Sequence, residues 1–277
     1  MISPSDYDFL RSYLKTKSGL VLTEDKHYLL ESRLEPVIRR FALQDMARLA
    51  KGLRENQPLG LAEAVIEAMT TNESLFFRDK RPFDLLTTEM LPALAKARRA
   101  HQTIRIWCAA ASTGQEPYSI AMALKDNAHL LGGRKVEILG TDLSSEVLAR
   151  AESGIYNQFE VQRGLPIQLL LKHFAKVGDQ WQISADLRGM VKYRKLNLLE
   201  SFAMLGVFDI VFCRNVLIYF DVPTKENILG RIAKCLAPDG YLLLGGAETV
   251  MGISDAFIPG AKPGFYVPKA RAMEALA

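Results

Sequence analysis

The sequence predicts an α/β protein: an open, parallel sheet with helices on both faces, preceded by an all-α segment and interrupted by a small β-rich insertion. Three observations lead there. From residue 101 onward, short β-rich runs alternate with amphipathic helical stretches, which is the rhythm of βα units. Residues 1–85 carry helical spacing only. Between Tyr156 and Val191 the alternation breaks off.

The stretch "SDYDFLRSYLKTKSGL" places Phe9, Leu10, Tyr13 and Leu14 at helical spacing and meets a stop at Gly19. A second helix is expected from Thr23 through "KHYLLESRLEPVIRRF", with Glu24 and Asp25 complementing its dipole and Pro36 kinking it. "LGLAEAVIEAM" forms another. It ends at "TTNESLFFRD" (70–79), where five polar residues precede Phe76, Phe77 and Arg78. Residues 1–85 form the expected helical domain and residues 86–277 the second domain.

In the second domain, "TIRIWCAA", "KVEILGTDL", "GMVKYRKLNLL", "FDIVFCRNVLIYF" and "DGYLLLGGAE" are the expected strands. "YSIAMALKDNAHLL", "SSEVLARAESGIY" and "PTKENILGRIAKCLA" are the helices between them, and "GFYVPK" is expected at a sheet edge. The insertion, about 157–192, reads as a short helix "LPIQLLLKHF" and a hairpin "AKVGDQWQISADLRGMV" turning at Gly178 and Asp179.

Composition narrows the function classes. Apolar residues make up 49% of the 277, enough for a sizeable core. No apolar run approaches the ~18 residues of a membrane span, and the start "MISPSDYDF" carries acids where a leader would carry lysines, so a cytoplasmic protein without direct membrane insertion is expected. Three cysteines without a Cys-x-x-Cys pair read as reduced, buried thiols, and four histidines without ligand spacing predict no metal site. A net charge of +4 suits an acidic protein partner better than a nucleic acid, which meets a concentrated basic stripe.

Ligands of open parallel sheets bind beyond the carboxyl ends of the strands. The first strand here is followed by Ala-Ala-Ser-Thr-Gly114-Gln-Glu116, small residues that admit close backbone approach and then a carboxylate. The second ends at Asp142, where an acid holds ribose hydroxyls in nucleotide-binding sheets. The third ends at Asn197-Leu198 and the fourth at Arg214-Asn215-Val216. Two carboxylates suit sugar hydroxyls or a cationic ligand, and two asparagines suit an adenine edge or an amino-acid moiety. No Gly-x-Gly-x-x-Gly or Gly-x-x-x-x-Gly-Lys-Ser/Thr loop is present, which disfavours dinucleotides and nucleoside triphosphates. S-adenosylmethionine, cationic and without phosphate, fits this description. Base methylation loses ground, because Arg-Asn-Val-Leu stands where an Asn/Asp-Pro-Pro-aromatic run is usual.

Taken together, "TTNESLFFRD", "RIWCAAASTGQEPYSIAMAL", "GTDLSSEVLARAESGIY" and "FDIVFCRNVLIYFD" closely resemble the chemotaxis receptor methyltransferase family called CheR, over about residues 5–268. The resemblance implies an S-adenosylmethionine-dependent methyltransferase (Rossmann-like) sheet with an all-α N-terminal domain and a small inserted β-subdomain. It implies methyl transfer to glutamates in the cytoplasmic helical region of methyl-accepting chemotaxis receptors, leaving S-adenosylhomocysteine. The family's cofactor contacts fall on Asn72, Ser74, Arg78, Glu116, Asp142, Asn197, Leu198, Asn215 and Val216. Arg78 is also the expected holder of the incoming carboxylate, and Tyr219 a second wall of the transfer channel.

The receptor-facing helix of the family corresponds to the one bearing Arg33, Arg39 and Arg40; Lys26, Arg33 and Arg40 recur every seven residues on one helical face. Two departures stand out. Gly245-Gly246-Ala247-Glu248 replaces the family's Gly-His-Ser-Glu, and the short hairpin turn "AKVGDQWQI" predicts a form that needs no receptor C-terminal pentapeptide tether. Two other readings stay open: a non-catalytic S-adenosylmethionine-binding signalling module, and a methyltransferase acting on a small molecule or a nitrogen atom.

Overall fold

The computed structural model describes residues 2–23, 26–260 and 262–269; Glu24 and Asp25, expected to favour the start of the second helix, lie outside the described residues. Packing divides the chain into two compact units, Met1–Thr71 with Tyr219–Thr224, and Asn72–Ile218 with Lys225–Ala277.

The first unit holds α1 (Pro4–Ser18), α2 (His27–Arg40), α3 (Met46–Glu55) and α4 (Leu61–Met69). Ser3 caps α1 by accepting the Asp6 N–H at 3.1 Å, and Gly19 ends it at φ 77°, in the left-handed region. Helix α2 continues through Pro36. Helix α3 went unnoticed in the sequence although Asp45 caps it by accepting the Arg48 N–H at 2.8 Å. Leu10, Leu14, Leu30, Leu34, Leu49 and Val65 are fully buried among these helices, so the apolar face expected of α1 does become core.

The second unit begins with α5 (Arg81–Leu85), a π-helical turn at Leu86–Met90 and α6 (Leu91–Ala97). Then come β1 (Ile104–Cys108), α7 (Gln115–Asp126), β2 (Val136–Asp142) and α8 (Ser145–Ser153). The insertion comprises β3 (Ile155–Tyr156), α9 (Gln158–Gln162), α10 (Ile167–His173), β4 (Phe174–Val177), β5 (Gln180–Ile183) and α11 (Ala185–Met190). It is followed by β6 (Val191–Lys195), β7 (Phe208–Cys213), α12 (Val222–Cys235), β8 (Leu236–Leu244), β9 (Phe257–Pro259) and β10 (Phe265–Pro268).

The main sheet runs β6-β2-β1-β7-β8-β10-β9. The first five strands are parallel, and β10 pairs antiparallel with both β8 and β9. All six residues of β7 are buried, as a central strand covered on both faces requires. The chain winds outward from β1 to β2 and β6, then returns to start β7 beside β1, so the strand order reverses between β1 and β7.

Three expectations need correction. "GFYVPK" becomes β10, an interior strand; the edge is β9, whose three residues carry too little pattern to be read from sequence. In the insertion the hairpin does turn at Gly178 and Asp179, and β3-β5-β4 form a separate three-stranded sheet, but the hairpin stops at Ile183 and "ADLRGM" is helix α11, anchored by the fully buried Leu187. The boundary expected at residue 85 falls instead between Thr71 and Asn72. The reason is aromatic packing: Phe76 meets Tyr156 at 5.0 Å and Phe174 at 5.6 Å, and Phe83 stacks on Phe212 at 6.3 Å, which commits this segment to the sheet core.

Among the described residues no helix is long and apolar enough to cross a membrane. Among them, too, no group of three or more His, Cys, Asp or Glu is arranged to hold a metal ion.

Candidate functional site

The loop after β1 crosses the point where strand order reverses. It stays bound to its neighbours: the Ala109 N–H donates to the Phe212 carbonyl and the Ala111 N–H to the Thr141 carbonyl, both at 2.8 Å. Ser112, at φ 48°, donates its N–H to Asp142 Oδ2 at 2.9 Å and its hydroxyl to the Asn72 carbonyl at 2.8 Å. One serine thus joins three segments that the sequence nominated separately. Gly114 sits at φ 92°, and a Cβ there would stand 2.8 Å from the Tyr193 hydroxyl and 2.9 Å from Ala151 Cβ, so both backbone and space require glycine.

Asp142 and Glu116 are the site's two nominated carboxylates. Asp142 accepts backbone N–H bonds from Ser112, Leu143 and Ser144; burial pushes its carboxyl above the ordinary range, and these amides oppose the rise. Glu116 opens α7 and is 8% exposed. Burial also pushes its carboxyl up, against the Arg214 guanidinium, which donates to Oε2 at 2.7 Å.

The segment 72–80 is extended at first and turns at residues 76–80 before α5. Phe76 is fully buried and Phe77 packs edge-on against Phe83 at 5.1 Å. The Phe77 N–H donates to Ser119 Oγ of α7 at 2.9 Å. Phe77, Asp79 and Lys80 have φ of 49°, 67° and 48°, the left-handed region that costs a non-glycine residue about 1 kcal/mol or more. Between them Arg78 is half-exposed, donating to the Glu73 carbonyl at 3.3 Å. Ser74 is half-buried and Asn72 exposed on the same segment.

At the end of β7, Asn215 adopts φ 57°. Glu248, after β8, gathers this corner: its carboxylate accepts the N–H groups of Asn215 at 2.7 Å, Val216 at 2.9 Å, Ile218 at 3.3 Å and Gly245 at 2.7 Å. A Cβ on Gly245 would lie 2.7 Å from both Asn215 Nδ2 and Glu248 Oε2, so glycine is what lets these groups close. Gly246 and Ala247, which stand in place of the family's His and Ser, are exposed, and a Cβ at Gly246 would meet nothing within 4 Å. After β6, Asn197 Oδ1 accepts the Leu199 N–H at 3.0 Å, and the buried Leu198 offers its carbonyl to Arg231 Nη2 at 2.5 Å.

Two nominated groups belong to the first unit. Tyr219, half-buried at the end of a 3-10 turn, is counted with the first unit, where its carbonyl accepts the Val21 N–H at 3.0 Å. The docking arginines differ among themselves. Arg33 Nη1 donates to the Met69 and Thr70 carbonyls at 2.8 and 3.1 Å, and Nη2 to Thr71 Oγ1 at 3.0 Å, so Arg33 closes the C-terminus of α4. Arg39 is exposed and pairs with Glu35, and Arg40 is exposed with its guanidinium 5.6 Å from the Phe41 ring centre.

Sequence reasoning gave no role to Arg214, Asp79, Ser112 or Glu248. Arg214 carried a signal: an arginine directly after a central strand buried along its whole length has to find carboxylates. Glu248 followed the quoted Gly-Gly-Ala, but its role depends on a corner thirty-odd residues upstream, invisible without the fold.

The donor set fits S-adenosylmethionine. A carboxylate has about four acceptor positions, so Asp142 retains one for a ribose hydroxyl beyond its three amides. The sequence holds no Gly-rich phosphate-cradling loop. The models for the CheR methyltransferase all-alpha domain and SAM binding domain match residues 5–70 and 72–262. The chain belongs to the CheR methyltransferase family. It therefore carries that family's S-adenosylmethionine-binding domain. Relatives of this CheR chain include chemotaxis protein methyltransferase 1 of Pseudomonas aeruginosa, 42% identical over 91% of this chain and 93% of that one. The chemotaxis protein methyltransferase of Vibrio anguillarum is 40% identical over 92% and 93%. That of Escherichia coli is 35% identical over 92% and 88%.

Proposed function

We propose that this CheR-family methyltransferase acts in chemosensory adaptation, moving a methyl group from S-adenosylmethionine to glutamate side chains in the cytoplasmic helical region of methyl-accepting receptors. The observation that carries the reading is the convergence at the strand-order reversal. There Asn72, Asp142, Glu116 and the turn presenting Arg78 are joined through Ser112 and Arg214.

A glutamate acceptor needs little acid–base help, since its reference pKa of roughly 4.3 leaves it ionised at neutral pH. When bound, S-adenosylmethionine supplies an electrophilic methyl group on a cationic sulfur. The chain's residues bind and align. Asp142 takes a ribose hydroxyl, Glu116 the cationic amino-acid end, and Asn72, Ser74, Asn197, Leu198, Asn215 and Val216 the remaining polar edges. Arg78 holds the incoming carboxylate through a charge-assisted fork. Alignment of the reacting atoms and exclusion of water are the available gains. The product ester is neutral, so each turnover removes one negative charge from the receptor surface.

Arg39 and Arg40, both exposed, are the cations that meet this acidic partner, and the protein works in the cytoplasm on the receptors' inner domains. The two-residue turn between β4 and β5 supports independence from a C-terminal pentapeptide tether. Incubation with methyl-labelled cofactor and receptor-bearing membranes tests the proposal. Base-labile label released as methanol supports it. Base-stable label points to nitrogen, and binding without transfer points to a signalling module. Measurable binding of a receptor C-terminal pentapeptide overturns tether independence.

A further inference from the structure

Arg214 belongs to no nominated role, yet its guanidinium bridges helix α7 and the 78–79 turn. Its side chain is 1% exposed. Nη1 donates to Glu116 Oε2 at 2.7 Å, while Nη2 donates to Asp79 Oδ2 at 2.6 Å and to the Arg78 carbonyl at 3.0 Å. The simplest account is neutralisation of a buried carboxylate, which Glu116 alone would satisfy. That account leaves half of the fork unexplained. The Asp79 side chain is 52% exposed and has no need of a buried partner, and a backbone carbonyl is not a charge to be neutralised.

The turn itself supplies the missing reason. Phe77, Asp79 and Lys80 all hold left-handed backbone, which persists only where surrounding contacts over-determine it. Phe77 is fixed from one side by packing and by Ser119 Oγ. The other half, the Arg78 carbonyl and the Asp79 carboxylate, is held by Arg214. Lysine would match the charge but has no planar fork to span Glu116 and the turn together.

We propose that Arg214 and Asp79 form a positioning pair that sets the Arg78 turn against the cofactor carboxylate Glu116, so that Arg78 is placed for the acceptor by the element that also shapes the cofactor site. This rests on the glutamate-methylation reading, in which Arg78 meets the incoming carboxylate. Asp79 acts through Arg78 and is not itself a catalytic residue.

The test uses the full chain, labelled cofactor and receptor-bearing membranes. Asp79→Ala leaves the Arg214–Glu116 pair intact, and is expected to lower kcat about tenfold while changing the Kd for S-adenosylhomocysteine less than about threefold. Asp79→Asn, which keeps an acceptor oxygen, is expected to recover part of the loss. Because Asp79 works through Arg78, Asp79→Ala should slow the Arg78→Ala variant no further. Arg214→Lys should show the Asp79→Ala defect; if it fails to fold, the Asp79 variants still decide. Unchanged turnover in Asp79→Ala overturns the positioning role, as does a full independent loss in the double variant. A wild-type chain that forms no base-labile ester overturns the glutamate reading instead, which an active wild type with an indifferent Asp79 leaves standing.

Discussion

Glu248 accepts the Asn215 N–H at 2.7 Å, and with the same carboxylate it holds Val216 and Gly245. The corner after β7 is therefore shaped by a residue after β8. Glu248→Ala removes the acceptor from several amides that are part-buried or buried, each costing about 1–3 kcal/mol when unsatisfied. The expected result is lower stability in urea and loss of S-adenosylhomocysteine binding by calorimetry, with Glu248→Gln milder because one acceptor oxygen remains.

Neighbouring glycines should respond oppositely. Gly245→Ala drives a methyl group into Asn215 and Glu248 and is expected to weaken cofactor binding. Gly246→His points into open space and should leave stability within about 0.5 kcal/mol of the wild type in the same urea titration.

The arginines of α2 should separate into two kinds. Arg33→Ala strips the C-terminal carbonyls of α4 of their donor and is expected to cost about 1–2 kcal/mol in chemical unfolding. Arg39→Glu and Arg40→Glu, on exposed positions, should barely move stability but should raise KM for receptor membranes, increasingly so at low salt.

Arg78→Ala should lower methyl transfer about a hundredfold while S-adenosylhomocysteine binds nearly as before. A radiolabelled methyl assay beside calorimetry reads both quantities, and unchanged turnover would refute the role given to Arg78.

Asp221 supplies a pH dependence. Hydrogen bonds from Lys15, at 2.7 Å, and from Thr224 lower its carboxyl to about 2 in the folded chain, below the ordinary aspartate value. Its contribution to stability is thus complete above the unfolded value of about 3.9 and disappears as pH falls through about 2. Asp221→Asn should flatten that acid limb of the stability curve, measured by thermal unfolding between pH 5 and pH 2, and leave the neutral region with a constant offset.

Much of the molecule was legible in the sequence because the relevant signals are local. The βα rhythm, Gly19 as a helix stop and the Gly178–Asp179 turn depend on residues a few positions apart, and the structure has them where spacing put them. Asp142 and Glu116 were nominated for the same reason, Asp142 at the end of a recognisable strand and Glu116 beyond the loop that follows one. Strand β9 and helix α3 were missed: one is too short to show a period, and the other carried an Asp45 cap and apolar spacing at Leu49, Ala50 and Leu53 that went unread.

What the sequence by itself determined is the class of fold, the order of its strands and helices along the chain, and the family whose S-adenosylmethionine-binding domain it carries. Only the tertiary structure decided which residues hold the candidate site in place. Arg214 reaches Asp79 and Glu116 across the chain, Glu248 gathers the Asn215 corner, and Arg33 caps the C-terminus of α4. The physical reason is that hydrogen bonds and ion pairs form between groups close in space. Periodicity reports which face of an element is buried, and is silent on which distant side chain a buried charge will meet.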